Sequence, residues 1–188
     1  MRAFKIIAAV DTVLAALDQH QARRVSKPLL MPMLMVGKDR ASQRALALGG
    51  VGDVALLGTS DLAFTAGLGS FLAGHVAWMA ALRERGRGHL TPAKAAPYVA
   101  AWVGLNAYLW KRTGKDRVPV LAYSAALMGT ALAALDTGDA ATATGGVLFV
   151  ASDTMLALER FAGVHLPVHE GLVMATYTSA QALLAQDA

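Results

Sequence analysis

The sequence predicts an all-α fold, a multi-pass transmembrane helical bundle of about eight helices. Three observations carry that expectation. First, 55% of the 188 residues are apolar and only 16% are charged, against about 25% charged in ordinary soluble domains, and the mean hydropathy is +0.45. Second, residues 62–82, 95–110, 118–135 and 171–186 contain no Asp, Glu, Lys or Arg. A hydrocarbon core of roughly 30 Å takes about 20 mostly apolar residues per helix. The 62–82 run meets that length outright, and the other three reach it by borrowing interfacial residues whose basic head groups snorkel to the lipid surface. Third, basic clusters, Gly and Pro punctuate the chain at intervals that suit short interhelical loops.

The elements follow in order. Residues 3–18 have a basic start and an apolar run like a secretory leader. Asp11 interrupts the run and no small-x-small cleavage site follows, so a retained first helix is expected. Residues 25–37 open on Ser26-Lys27-Pro28, with Pro28 suited to a first turn and Pro32 to a kink. Residues 43–59 carry Gly49, Gly50, Gly52 and Asp53, and the brief Thr59-Ser60-Asp61 connector implies a tight hairpin into 62–82, which carries His75. After the basic Arg83–Arg87 connector come 95–111, the basic Lys111–Arg117 connector and 118–135. The acidic Asp136–Asp139 link leads to 141–158, with Gly145, Gly146 and Asp153, and then to 167–185. Eight helices on such loops consume nearly the whole chain, so residues 1–188 are expected to form a single integral membrane domain. Glycines on these segments are expected to serve close helix packing, because lipid gives apolar helices no drive to associate.

Charge and composition exclude several classes. There is no cysteine, hence no disulfide framework, zinc–thiolate site or cysteine nucleophile. The net charge of +4 suits anionic lipid headgroups, and no aromatic interleaving marks a nucleic-acid partner. The 17 Lys and Arg divide nine to eight between the two sides, so they set no orientation by the positive-inside bias. Both termini are expected to be cytoplasmic. A multi-pass protein of the cell membrane, with no cofactor, is expected, and its oligomeric state is left open.

Ionisable residues inside a bilayer are costly and mark functional interiors. Asp53 and Asp153 lead the candidates, each flanked by small and apolar residues (Val51-Gly52 and Val54-Ala55-Leu56; Ala151-Ser152 and Thr154-Met155-Leu156). Two neighbouring buried carboxyls push their titrations apart, the arrangement that acid–base chemistry requires. The alternative is that each pairs with a cation such as Lys27 for folding alone. Lys27 itself either snorkels to the interface or meets a phosphate. His75 is a candidate proton carrier, carboxylate partner or metal ligand. Asp11, on the first helix, is a fifth candidate. A zinc site wants three or four protein ligands, and Pro167 separates His165 from His169, so no metal is expected. Asp61, Glu159 and Glu170 are expected at solvated or interfacial positions.

There is also an internal echo. GGVGDVALL at 49–57 resembles GGVLFVASDTMLAL at 145–158, and Phe71-x-x-x-His75 matches Tyr177-x-x-x-Gln181. Segments four apart run in the same direction, which is the pattern of two parallel four-helix repeats. Chance similarity between Ala-rich helices is the other reading.

Several motifs together resemble the YhhN family of lysoplasmalogenases. They are Lys27-Pro28-Leu29-Leu30, Gly52-Asp53-Val54-Ala55-Leu56-Leu57, Gly69 through Trp78 (GSFLAGHVAW), Ser152-Asp153-Thr154-Met155-Leu156-Ala157 and Thr176 through Leu184 (TYTSAQALL). They span roughly residues 25–185. Trp78 stands where members commonly carry Tyr, and the loop after Leu57 lacks a frequent Pro. The resemblance implies hydrolysis of the vinyl ether bond of lysoplasmalogens, with a lysophospholipid substrate and the bilayer as partners. It further implies Asp53 and Asp153 as the acid–base pair and His75 as an orienting or relaying residue. Lys27, Ser152, Tyr177 and Gln181 would bind the polar part of the substrate. A rival reading from the intramembrane charges alone is a small proton-coupled transporter or a lipid-binding membrane protein.

Overall fold

The computed structural model describes residues 1–186. Among them are eight α-helices, a single 3-10 turn at Gly114–Asp116 and no strand. The helices are α1 (Arg2–Ala16), α2 (His20–Met35), α3 (Arg40–Ala55), α4 (Asp61–Arg85), α5 (Pro92–Leu109), α6 (Arg117–Asp136), α7 (Ala140–Ala162) and α8 (His169–Leu184). The eight expected segments are all present. The largest shift is in α2, which starts five residues before the expected 25 and so carries both Pro28 and Pro32 in its interior, where each removes a hydrogen bond to the preceding turn.

Local chemistry sets the boundaries. Asp39 caps α3 by accepting from the backbone N–H groups of Ala41 and Ser42 at 2.8 and 2.9 Å. Ser60 caps α4 through Ala63 N–H at 3.1 Å, and Asp139 caps α7 through Thr142 N–H at 2.6 Å. These side chains satisfy donors that a helix start leaves orphaned. At the far end of α7, Gly163 adopts φ +66°, a left-handed stop that glycine reaches without strain.

Three stretches, Asp61–Arg85, Gly114–Asp136 and Ala140–Ala162, are each long and apolar enough to cross a bilayer unaided. Only 22%, 33% and 28% of their apolar windows are buried within the protein, which leaves most of their surface for lipid. Helices α1, α2, α3 and α8 have 15 or 16 residues. At 1.5 Å per residue such helices reach about 24 Å. They contribute Asp11, Arg23, Asp53 and Tyr177 to the polar interior.

Seven helices close a ring in the order α2, α3, α4, α6, α7, α8, α1 and back to α2. Helix α5 lies outside, against α6, moored where Trp102 Nε1 donates to Ser124 Oγ at 3.0 Å and Ser124 Oγ donates to Asn106 Oδ1 at 3.1 Å. The ring's interior is filled by Leu30, Leu34, Leu46, Trp78, Phe149 and Leu184, all nearly or fully inaccessible.

The internal echo has a structural counterpart. Residues 41–50 and 141–150 show the same position-by-position burial. Each stretch follows a capping aspartate that also accepts from a hydroxyl three residues on, Ser42 at 2.6 Å and Thr142 at 2.7 Å. This register pairs Asp53 with Asp153 and slips the two Gly-Gly-Val runs by four residues, about one helical turn, so the paired faces are preserved.

Candidate functional site

A cavity of about 360 Å³ lies where α3 and α7 end and where α2, α4, α6 and α8 begin, at the end of the bundle away from Met1. Its walls are mainly apolar, with Leu56, Leu68, Phe71, Leu156 and Met174 among them. Asp53, Tyr123, Ser152, Asp153 and Tyr177 bring polar atoms to it, while Arg23, Glu159, Arg160 and Glu170 also contribute to its lining.

Asp53, in the last turn of α3, is only 2% exposed. It accepts a hydrogen bond from Tyr177 Oη of α8 at 2.7 Å, and Lys27 Nζ of α2 lies 3.6 Å from its other oxygen. Asp153 of α7 accepts from Tyr123 Oη of α6, and His75 Nε2 of α4 stands 3.9 Å from the same carboxylate oxygen. The two half-sites therefore have matching scaffolds, since exchanging α2, α3 and α8 for α6, α7 and α4 carries one into the other. Phe149 separates them, its ring 5.5 Å from that of Tyr177 and 4.6 Å from that of His75. The scaffolds match but the chemistry does not: a cation and a phenol serve Asp53, a phenol and an imidazole serve Asp153.

The remaining candidates fall in two places. Ser152 lines the cavity, and its hydroxyl donates to the Val173 carbonyl at 3.2 Å, tying α7 to α8. Tyr177 lines it too. Gln181 does not; it accepts from Trp78 Nε1 at 3.1 Å and donates to Tyr177 Oη at 3.3 Å, behind the site. Lys27 also lies outside the lining, engaged with Asp53.

Sequence reasoning missed several residues. Tyr123 carries no charge and sits on an Ala-rich helix, so nothing in the sequence singled it out. Asp11, by contrast, was among the sequence candidates; it is fully buried and accepts from Ser26 Oγ at 2.6 Å, with Arg23 Nε 3.6 Å away. Arg23 also donates to Glu170. Glu170 is therefore no simple solvated terminus, because the buried guanidinium holds it against the cavity. Glu159 likewise stands 3.1 Å from both His165 Nδ1 and His169 Nε2, which share no helical face, since His165 lies in the connector and His169 opens α8. Asp18, His20 and Glu170 form a triplet spaced like metal ligands. Asp18 and His20 are exposed and Arg23 occupies Glu170, a poor setting for a cation.

The fold and site define an integral membrane protein whose helices converge two carboxylates on an apolar cavity. The chain belongs to the YhhN family, whose model matches residues 22–188. Two curated proteins, each called a lysoplasmalogenase, are similar to it, one from Mycobacterium bovis (strain ATCC BAA-935 / AF2122/97) and one from Mycobacterium tuberculosis (strain CDC 1551 / Oshkosh). Each is 35% identical over 107 residues, 53% of this chain and 41% of the relative, so less than half of each relative's length is matched. No solved structure matches the chain.

Proposed function

We propose that the protein is a hydrolase of the cell membrane, a single membrane domain that cleaves the vinyl ether bond of lysoplasmalogens. The products are a fatty aldehyde and glycerophosphoethanolamine or glycerophosphocholine. The observation that carries this reading is the pair of carboxylates, Asp53 and Asp153, at one mostly apolar cavity, supported by the relatives' names.

Vinyl ether cleavage begins with a proton delivered to the distal alkene carbon, where the π pair forms the new C–H bond and leaves an oxocarbenium ion. Water then adds to that ion and loses a proton to a base, giving a hemiacetal. Collapse of the hemiacetal returns a proton to the enzyme, protonates the departing glycerol oxygen and releases the aldehyde. One carboxyl acts as acid and the other as base, as paired carboxyls do in glycoside hydrolysis. The apolar walls take the first part of the hydrocarbon chain. Ser152 and Tyr177 meet the substrate's polar atoms, while Lys27 and Gln181 act from behind, through Asp53 and Tyr177. His75 orients Asp153 and exchanges protons with it.

The test is product analysis on protein purified in detergent, comparing 1-alkenyl lysophospholipid with its 1-alkyl and 1-acyl analogues. Aldehyde from the alkenyl lipid alone supports the reading. Flux of a solute in proteoliposomes without any aldehyde would support a proton-coupled carrier instead.

A further inference from the structure

We propose that the mouth of the cavity is a lipid headgroup site, where Arg160 and Arg23 take the phosphate and Glu170 with Asp18 takes a primary ammonium; calling that lipid the substrate rests on the hydrolase reading, whereas its binding does not. The observation is a pair of opposite charges that share one rim without pairing. Glu159 Oε2 lies 3.1 Å from His169 Nε2, which ties the last turn of α7 to the first residue of α8. The next residue of each, Arg160 and Glu170, lines the cavity. Arg160 makes no hydrogen bond or ion pair among the described residues; its guanidinium lies over the Phe64 ring, 3.6 Å from the centroid. Glu170 turns the other way, to Arg23. Opposite charges at neighbouring helix ends, each pinned by a different partner, leave a bipolar slot that a zwitterion fills.

Unmet donors and acceptors point the same way. A guanidinium stacked on a ring keeps its N–H donors for a phosphate. Arg23, whose side chain is 9% exposed, has at Nε a buried donor with no hydrogen-bond partner. Glu170 gives Oε2 to Arg23, and His20 Nδ1 stands 4.0 Å from that same oxygen, which leaves Oε1 unengaged among the described residues. Asp18 brings a second carboxylate to this side, within 4.8 Å of Glu170 and His20. A metal ion is badly served there because Arg23 already holds Glu170. An alkylammonium asks for less, one acceptor for each N–H, and Oε1 and Asp18 supply acceptors. With a zwitterion in place the charges alternate along the rim from Arg160 to phosphate, Arg23, Glu170 and ammonium.

Depth and order also match a lysolipid. Arg160 follows Asp153 by seven residues, and Glu170 precedes Tyr177, the partner of Asp53, by seven. Seven residues are two turns on one face, about 10 Å. Helix α7 ends at the mouth and α8 begins there, so both charges stand outside the carboxylates. Helical side chains lean toward the N-terminus of their own helix. That lean is inward on α7 and outward on α8, so Arg160 reaches deeper than Glu170. A lysolipid with its ether between Asp53 and Asp153 presents the same order, phosphate first and ammonium outermost. The acceptors favour ethanolamine over choline. A quaternary ammonium has no N–H to donate and is held by aromatic faces, and Arg160 already covers the Phe64 face.

The experiment is native mass spectrometry of the full chain in detergent with 1-alkyl lysophospholipids, which have no vinyl ether to cleave. The probes are the ethanolamine lipid, the choline lipid and 1-alkyl lysophosphatidic acid, with glycerophosphoethanolamine as the chainless control. Wild type is expected to bind the ethanolamine lipid about tenfold more tightly than the other two lipids, and the chainless control more weakly than any lipid. Arg160→Gln is expected to weaken all three lipids about tenfold. Glu170→Gln and Asp18→Asn are expected to lose the preference for ethanolamine while keeping the affinity for lysophosphatidic acid. A merely structural role would weaken all three lipids alike. Asp18 is exposed and has φ +53°, a conformation that asparagine also tolerates, so this variant reports even where Glu170→Gln does not fold. The proposal is overturned if wild type does not discriminate among the headgroups, if Asp18→Asn keeps the preference, if Arg160→Gln binds like wild type, or if the chainless control binds as tightly as the lipid. Vinyl ether turnover is assayed separately, so its failure leaves the binding result readable.

Discussion

Lys27 and Asp53 show how a residue's meaning changes between sequence and structure. The chain alone left Lys27 with two roles, anchoring at the interface or meeting a phosphate, and the structure sets its ammonium 3.6 Å from a carboxylate that is almost wholly buried. Removing one member of a buried pair leaves the other charged and unmatched, at a cost of about 3–5 kcal/mol. Lys27→Met is expected to destabilise the detergent-solubilised protein by about that amount, measured as thermal unfolding, and Lys27→Met/Asp53→Asn to recover much of it. A double variant no more stable than the single one would show that the two side chains are not coupled. Asp53, Asp153 and His75 were legible in the sequence because ionisable groups stand out against apolar neighbours. Tyr123 and Thr130 were not, since nothing in VLAYSAALMGTALAAL distinguishes the face of α6 that turns toward His75.

Among the elements, α3 and α7 carry the repeat, and their first turns are open to a pH test. The backbone N–H and the hydroxyl of Thr142 hold the exposed Asp139 carboxyl below its ordinary value of 3.8. A carboxyl lowered in the folded state stabilises the fold above its unfolded value, and that stabilisation is lost as pH falls through the folded one. Asp139→Ala is expected to cost about 1 kcal/mol at neutral pH, with the difference from wild type in unfolding temperature shrinking in acid. A difference independent of pH would show that the cap does not depend on charge. The close α3–α4 contact makes a second test. A Cβ added at Gly52 would fall 2.6 Å from the Phe71 ring, whereas one at Gly104 on α5 meets nothing within 4 Å. Gly52→Ala is expected to destabilise by about 1–3 kcal/mol and to disturb Phe71 in the cavity wall. Gly104→Ala is expected to leave both stability and turnover close to wild type or slightly improved. Equal effects at the two positions would contradict the packing described here. The helices themselves were readable because charged loops and capping residues delimit them. The extent of α2 was not, because its first turns are polar and its interior prolines look like boundaries.

At the scale of the whole molecule, the ring of seven helices explains why the polar residues cluster at one end. Helices α3 and α7 finish there while α2, α4, α6 and α8 start there, so a parallel arrangement of the two halves brings both aspartates to one level. Membrane character was plain from composition, but the closure of the ring was not, because which Ala-rich face meets which is decided by three-dimensional packing rather than by local pattern. The Arg23 cluster with Asp11 and Glu170 belongs to that closure, joining α1, α2 and α8 beside the cavity. The central claim is that the two carboxylates together cleave a vinyl ether, and aldehyde release from 1-alkenyl lysophospholipid by wild type, Asp53→Asn and Asp153→Asn tests it most directly. The account predicts aldehyde from the wild type and a fall of at least about 100-fold in each variant, with all three proteins folded. Full turnover in either variant, or none in a folded wild type, would contradict it.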